Sequence, residues 1–352
     1  MSNIFREYLK TVGSGTHTGK DLSRSEAKAA TQMMLCQEAT PAQIGAFMVA
    51  HRIKRPTPEE LAGMLDAYDE LGPQLSYQGE TVTVFGNPYD GRSRTVPVTP
   101  ITVLILAAAG VSVVMHGGDC MPTKYGIPLV DIWQGLGVNF AQSLSHTERL
   151  LATTNVGFVY LPQQFPLAHG LVPYRDQIGK RPPFATLELV WSPCAEAHIV
   201  SGFVHPPTEE RLRDTLALRK AHNFTMVKGL EGSCDLARNR TGIIGIQRPS
   251  APYERLHLNP QEYGFYGSDV SLESPAQVIE QLTAVLQGQS CDLMPAAILN
   301  GGFYLWRCGV CSELSTGFAQ AEAMLTTGKV SQKLQELSAA SQALSTLKEV
   351  QV

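Results

Sequence analysis

The chain of 352 residues has no apolar run long enough to span a bilayer comfortably. The longest, ITVLILAAAGVSVVM from Ile101 to Met115, is interrupted by Gly110. An excess of charge is also missing. With 28 Lys and Arg against 32 Asp and Glu, the formal net charge is -4, which excludes bulk basicity as a means of holding nucleic acid and leaves only a local basic stripe. A disulfide framework is absent too, since the seven cysteines are scattered and odd in number, as suits a reducing cytoplasm. The one close pair, Cys308 and Cys311 in CGVC, has no second pair to complete a zinc site and reads as packed thiols. The opening MSNIFREYLK carries charges where a signal peptide needs an apolar core, so a cytoplasmic protein is expected. Internal repeats and low-complexity tails are lacking.

What is present is the composition of a globular protein, 43% hydrophobic and 7% aromatic, with 31 Gly and 22 Pro marking turns and helix starts. Three helix-start signatures fall in the first sixty residues: SRSE at Ser23–Glu26, TPAQ at Thr40–Gln43 and TPEE at Thr57–Glu60. After them, Ile44, Phe47 and Met48, then Leu61, Met64, Leu65 and Tyr68, recur at helical spacing. A small all-α unit is predicted.

The texture changes at Thr81–Phe85, a β-branched run that reads as a strand. An apolar helix from Thr99-Pro100 follows, then a buried strand over Val111–Met115 that turns at His116-Gly117-Gly118. A helix over Asp131–Leu136, one capped at Ser145, and a strand in NVGFVYLP come next. Pro162–Pro193 reads as loop-rich. Beyond it lie strand HIVSGFV, helix TEERLRDTLALRKAH, strands FTMVKGL and GIIGIQ, helix SPAQVIEQLTAVLQG, and two long closing helices. Alternating strands and helices imply an α/β domain with a mainly parallel sheet and crossover helices.

Ligands bind beyond the carboxyl ends of such strands. Three loops lie there. FGNPYDGRSRT offers Gly86, Asp90 and Gly91 with Arg92 and Arg94; it reads as an anion loop or as a surface turn. VVMHGGDCMPTKYG offers His116, Gly117, Thr123 and Lys124, a phosphate cradle or a structural turn. KGLEGSCD places Glu231 and Asp235 four apart, a pair for Mg²⁺ against a pyrophosphate or two solvated acids.

Nearly the whole chain resembles the anthranilate phosphoribosyltransferase family. DLSRSEAKAA, TPAQIGAFMVAHRIKRPTPEELAGM and TTGKVSQKLQEL carry the likeness. So do His116-Gly117 with Lys124 and Gly126, the stretch YRDQIGKRPPFATLELVWSP, and NGGFYLWRCG. The resemblance implies a helical domain over 1–75 with a returning segment at 163–187, and an α/β domain of the nucleoside phosphorylase and phosphoribosyltransferase type over 78–162 and 188–352. It also implies a homodimer through the helical domains. The implied reaction joins phosphoribosyl pyrophosphate to the amine of anthranilate, with Mg²⁺ leaving alongside pyrophosphate. Arg175 matches the arginine that contacts anthranilate.

The chain also departs from the family. GTGGDG there is GNPYDG here, with Pro88 and Tyr89 in place of two glycines. The NIST motif is VPVT, keeping Thr99; the lysine before His-Gly is Met115; and the Asp-Glu metal pair falls on Cys234 and Asp235. These departures resemble a divergent branch of the family, some members of which bind nucleic acid in a basic groove across the dimer. Local basic groups at His51–Arg55, Arg92, Arg94, Lys180-Arg181, Lys228, Arg238 and Arg240 supply the corresponding alternative here.

Overall fold

In the computed structural model, residues 3–15, 18–77, 79 and 81–349 are described. The expected domain start at 78 and the outermost residues, 1 and 352, lie outside them. Four helices open the chain: α1 (Asn3–Gly13), α2 (Arg24–Leu35), α3 (Pro41–Lys54) and α4 (Pro58–Leu71). All three expected capping boxes form. Ser23, Thr40 and Thr57 accept from the amides of Glu26, Gln43 and Glu60, and each of those side chains returns to its cap amide.

Glu60 does more than cap. Its buried carboxylate accepts from the Leu22 amide (2.9 Å) and Lys54 Nζ (2.7 Å) and lies 3.3 Å from His51 Nε2. Burial works to raise its pKa, but the His51 ring, the Lys54 ammonium and the Leu22 amide overcome that and hold it at about 2. The basic run His51–Arg55 is thereby divided. His51 and Lys54 turn inward to Glu60, while Arg52 and Arg55 stay exposed.

The α/β part begins with β1 (Val82–Gly86), α5 (Thr99–Ala108), β2 (Ser112–Gly117), α6 (Leu129–Gly135), α7 (Leu144–Thr154) and β3 (Val156–Tyr160). The segment expected to be loop-rich forms four short helices instead, α8 (Leu161–Gln164), α9 (Pro166–His169), α10 (Val172–Ile178) and α11 (Phe184–Leu187). Prolines start each of them or stand just before it, and α10 and α11 pack on α3 and α4. Then come β4 (His198–Gly202), α12 (Pro206–Leu218), β5 (Phe224–Val227), β6 (Gly242–Gln247), β7 (Glu254–Leu258), α13 (Pro275–Leu286), α14 (Met294–Arg307), α15 (Leu314–Thr326) and α16 (Lys329–Glu349).

Other differences from expectation are local. The second strand runs on through His116 and Gly117, because both pair with β3. Ser143, not Ser145, precedes α7. The edge strand β7 was not foreseen: it pairs only with β6, and most of its residues are exposed, so it carries little apolar signal. The last predicted helix is two helices separated at Gly328. Among the described residues, no helix is long and apolar enough to cross a membrane.

The seven strands lie in the order β3-β2-β1-β4-β5-β6-β7, parallel through β5 and antiparallel at the last two. Successive side chains of a strand face opposite sides. Val82 and Val84 of β1 therefore join a core continuous with helices α1–α4, while Phe85 joins the core under α5 and α13–α16. Helix α5 is buried almost all round, as its unbroken apolar sequence requires. Strand order reverses between β1 and β4. Their following loops diverge, and a crevice opens between them at the carboxyl ends of the sheet.

Candidate functional site: an arginine-lined cleft

The crevice is a cavity of about 1140 Å³ walled by the loops after β1, β2, β4 and β5, by the end of α3 and by the 175–189 segment. Its walls carry seven arginines and Lys124 against three carboxylates, Asp90, Glu188 and Glu231. Among the described residues, Arg52, Arg55, Arg211 and Arg240 have no carboxylate partner there. Burial, and secondly the neighbouring Arg55, lower the pKa of Arg211. Such a surface attracts anions.

Five of the thirteen expected site residues line this cavity: Asp90, Arg94, Lys124, Arg175 and Glu231. Asp90 is 1% exposed. Its Oδ2 accepts from Arg181 Nε at 2.7 Å and Nη2 at 2.6 Å, while its buried Oδ1 has no donor. Arg94 is mostly exposed, 3.9 Å from Glu231. Lys124 Nζ donates to the Gly91 carbonyl (3.0 Å) and to Glu231 (3.2 Å). Arg175 is held at 2.5 Å by Glu188, which leaves Arg175 Nε and Glu188 Oε2 unpartnered in the buried wall. Arg175 thus reaches the cleft already neutralised, not as an open cation. Burial raises the pKa of Glu188 against the pull of Arg175.

The other eight do not line it, and their expected roles need correction. Gly86 does not turn its amide to an anion; it ends β1 beside Ser201, and a Cβ there would meet the Leu189 carbonyl at 2.1 Å. Gly91 (φ +73) packs its backbone on Gly126 and Ile127 in a small bridge. His116 and Gly117 lie inside β2, buried behind Tyr89. The Tyr89 hydroxyl meets His116 Nδ1 at 2.6 Å, and the His116 ring stands edge-on to both Tyr89 and Trp191. Burial pulls the His116 pKa down to about 4, against a hydrogen bond with the Trp191 backbone. A buried neutral ring of this kind is core. Thr123 is half-buried away from the cavity.

Arg92, Thr99 and Asp235 form a closed polar cluster with Glu231 and Lys124. Arg92, 5% exposed, donates from Nη1 to Asp235 Oδ2 (2.7 Å) and Ser233 Oγ (2.8 Å), and from Nε to Glu231 Oε1 (3.2 Å). Its Nη2 donates to Thr95. Thr99 Oγ1 donates to Asp235 Oδ1 at 2.7 Å, and the Val98 amide to Oδ2 at 3.2 Å. Glu231 accepts the backbone amides of Ser93 (3.2 Å), Arg94 (3.0 Å) and Thr95 (3.1 Å). Burial would raise the Glu231 pKa, but Arg92, Lys124 and these amides drive it far below the carboxylate range. Neither carboxylate is solvated, and Arg92 is spent on them instead of on a phosphate.

Helix α14 holds this loop from beneath. Asn300 accepts the Leu236 amide at 2.7 Å, and the Tyr304 hydroxyl donates to the Cys234 carbonyl at 2.6 Å. Cys234 itself is buried against the Gly86 and Val200 carbonyls. Arg238 is tied to the carbonyls of Phe265 and Ser268 and lies away from the cleft, which Arg240 reaches. Sequence reasoning missed Arg211 and Glu188. The only signal for Arg211 was its place on the helix that follows a strand end. Cys308 and Cys311 form no disulfide.

Comparison with known proteins agrees with this architecture. Residues 6–72 match the helical bundle domain of a glycosyl transferase family, and residues 90–331 match its a/b domain. The anthranilate phosphoribosyltransferase of Herpetosiphon aurantiacus is 27% identical over 342 residues, 96% of this chain and 98% of that protein. That of Paracidovorax citrulli is 25% identical over 318 residues, 89% and 91% of the two chains. The same fold is seen in the Thermus thermophilus enzyme, with TM-score 0.79 at 19% identity, covering 97% of this chain and 100% of that one. It recurs in the Saccharomyces cerevisiae enzyme in complex with PRPP and Mg, with TM-score 0.82 at 15% identity over 97% and 99%.

Proposed function

Because the chain belongs to this glycosyl transferase family, we propose that it is a pentosyltransferase whose cleft takes a phosphoribosyl donor of the phosphoribosyl pyrophosphate type. One observation carries the reading. Asp90 Oδ1 is a buried acceptor without a donor, set in a wall of cations where Lys124 and Arg181 stand beside it. A sugar phosphate supplies both complements, a hydroxyl for the carboxylate and phosphates for the cations. Side chains replace loop amides here: Arg94, Lys124 and Arg181 meet the phosphates, since Pro88 and Tyr89 have closed the backbone route. Catalysis in such a cleft is mostly positioning, with the cations stabilising the charge that gathers on the departing diphosphate.

Mg²⁺ accompanies such a donor in the yeast neighbour. The two carboxylates expected to hold it here, Glu231 and Asp235, do not fit the ion, because each of their oxygens already accepts from this chain's own donors. Among the described residues, no group of three or more His, Cys, Asp or Glu side chains is placed to hold a metal.

A calorimetric titration with phosphoribosyl pyrophosphate and Mg²⁺ tests the reading. Heat in the wild type that is lost in Lys124→Ala supports it, and no heat in the wild type defeats it. A second reading, a nucleic-acid-binding protein on the same scaffold, draws on Arg52, Arg55, Arg211 and Arg240, which meet in one cleft without carboxylate partners. Silence toward the donor, with salt-sensitive retention of a single-stranded oligonucleotide, would favour it. Ile4, Val49 and Ile53 expose apolar surface on α1 and α3, which supports a homodimer through the helical domain. Light scattering at a dimer mass checks this.

A further inference from the structure

Three consecutive amides, those of Ser93, Arg94 and Thr95, converge on a single carboxylate. Convergent backbone N–H groups in a turn are an anion-binding arrangement. The anion they hold is Glu231, which reaches across from the loop after β5 and also receives Lys124 Nζ at 3.2 Å. Its own backbone is left-handed (φ 55) to deliver it. The partner half of the cluster has the opposite sign. Glu231 and Asp235 present carboxylate oxygens to one point, as a pair serving a divalent cation would. The cation they meet is the Arg92 guanidinium.

We infer that Glu231 is a resident anion filling the 93–95 amide nest and Arg92 a resident cation filling the Glu231–Asp235 pair, so that this chain supplies internally what a metal-bound diphosphate would bring. The cluster is self-limiting. It occupies the convergent-amide site of the cleft and leaves an incoming phosphate to the side chains outside it. Removing the resident anion exposes the three amides and Lys124 together. The inference is independent of the donor proposed above, because it concerns groups that satisfy one another before any ligand arrives.

Calorimetry with inorganic pyrophosphate on the full chain tests it, comparing the wild type with Glu231→Gln. Loss of the charge in an isosteric side chain releases Lys124 and weakens the hold on the amides, so affinity for pyrophosphate rises by about tenfold or more. Glu231→Asp, too short to span the nest, rises less, and it serves in place of Glu231→Gln should that variant not fold. The cation half is read by Mn²⁺ binding, followed from the paramagnetic resonance signal of the free ion. The wild type binds none at this cluster. Arg92→Ala gains one Mn²⁺ per chain, and Arg92→Ala combined with Asp235→Asn loses it again. A folded Glu231→Gln with unchanged pyrophosphate affinity, or Mn²⁺ bound by the wild type and released by Asp235→Asn, overturns the inference. Wild-type silence toward phosphoribosyl pyrophosphate together with a gain in Glu231→Gln would leave this inference standing while the donor reading falls.

Discussion

The floor and the wall of the cleft come from neighbouring turns of the same loops, yet they end in opposite states. The floor, the packed layer beneath the lining where β1 and β2 finish, is closed and neutral: Tyr89 covers His116, which lies against Trp191. The wall, a few residues further along each loop, is open and cationic, with Arg94 and Lys124 beside Arg181. The difference teaches that one strand-end loop can close over a packed core at its start and still line a cationic cleft further along. Packing decides the first, whereas the excess of arginines and Lys124 over carboxylates decides the second.

Tyr89→Ala should have the largest effect. It removes a buried aromatic, so stability falls by about 3–5 kcal/mol, while pyrophosphate affinity at the wall stays within about twofold if floor and wall are separable. A chemical-denaturation curve paired with calorimetry checks both halves, and a large affinity change would break the separation. Next, Lys124→Ala and Arg181→Ala each lower pyrophosphate affinity by about 10–100-fold, the size of a charge-assisted hydrogen bond. Arg52→Ala, farther out, should lose less.

The pH response sharpens the contrast. The His116 pKa falls from 6.5 unfolded to about 4 folded, so between those values the unfolded chain binds more protons and stability declines as pH falls. Each such histidine contributes a slope of about 1.4 kcal/mol per pH unit there, and His198, whose pKa burial and the nearby Arg307 and Arg248 also hold below its ordinary value, adds its own. Melting temperature should therefore drop from pH 6.5 toward 4, less steeply in His116→Gln. Smallest is Tyr89→Phe, which removes only the hydroxyl's bond to His116 and costs about 1 kcal/mol.

Legibility followed the range of the interactions. The three capping boxes in the helical bundle were readable because each is closed by residues three apart. The strands β1 to β6 were readable because burial on both faces leaves apolar runs, while β7, an exposed edge, left none. The site was readable only as three loops at strand ends. The resemblance placed Asp90, Lys124 and Arg175 near a ligand, and they do reach the cleft. Arg92 and Arg94 looked equivalent in sequence. Yet one is buried on two carboxylates, Glu231 and Asp235, and the other is exposed and only skirts Glu231 from the surface, because the first turns inward under the loop after β5.

By itself the sequence determined the helical unit, the α/β alternation and the position of the strand-end loops, since capping and hydrophobic periodicity act over a few residues. The tertiary structure alone decided which charges are spent. Glu231 lies 139 residues from Arg92 and 107 from Lys124, and whether a carboxylate awaits a metal or already holds a guanidinium depends on what the fold brings within about 3 Å of it.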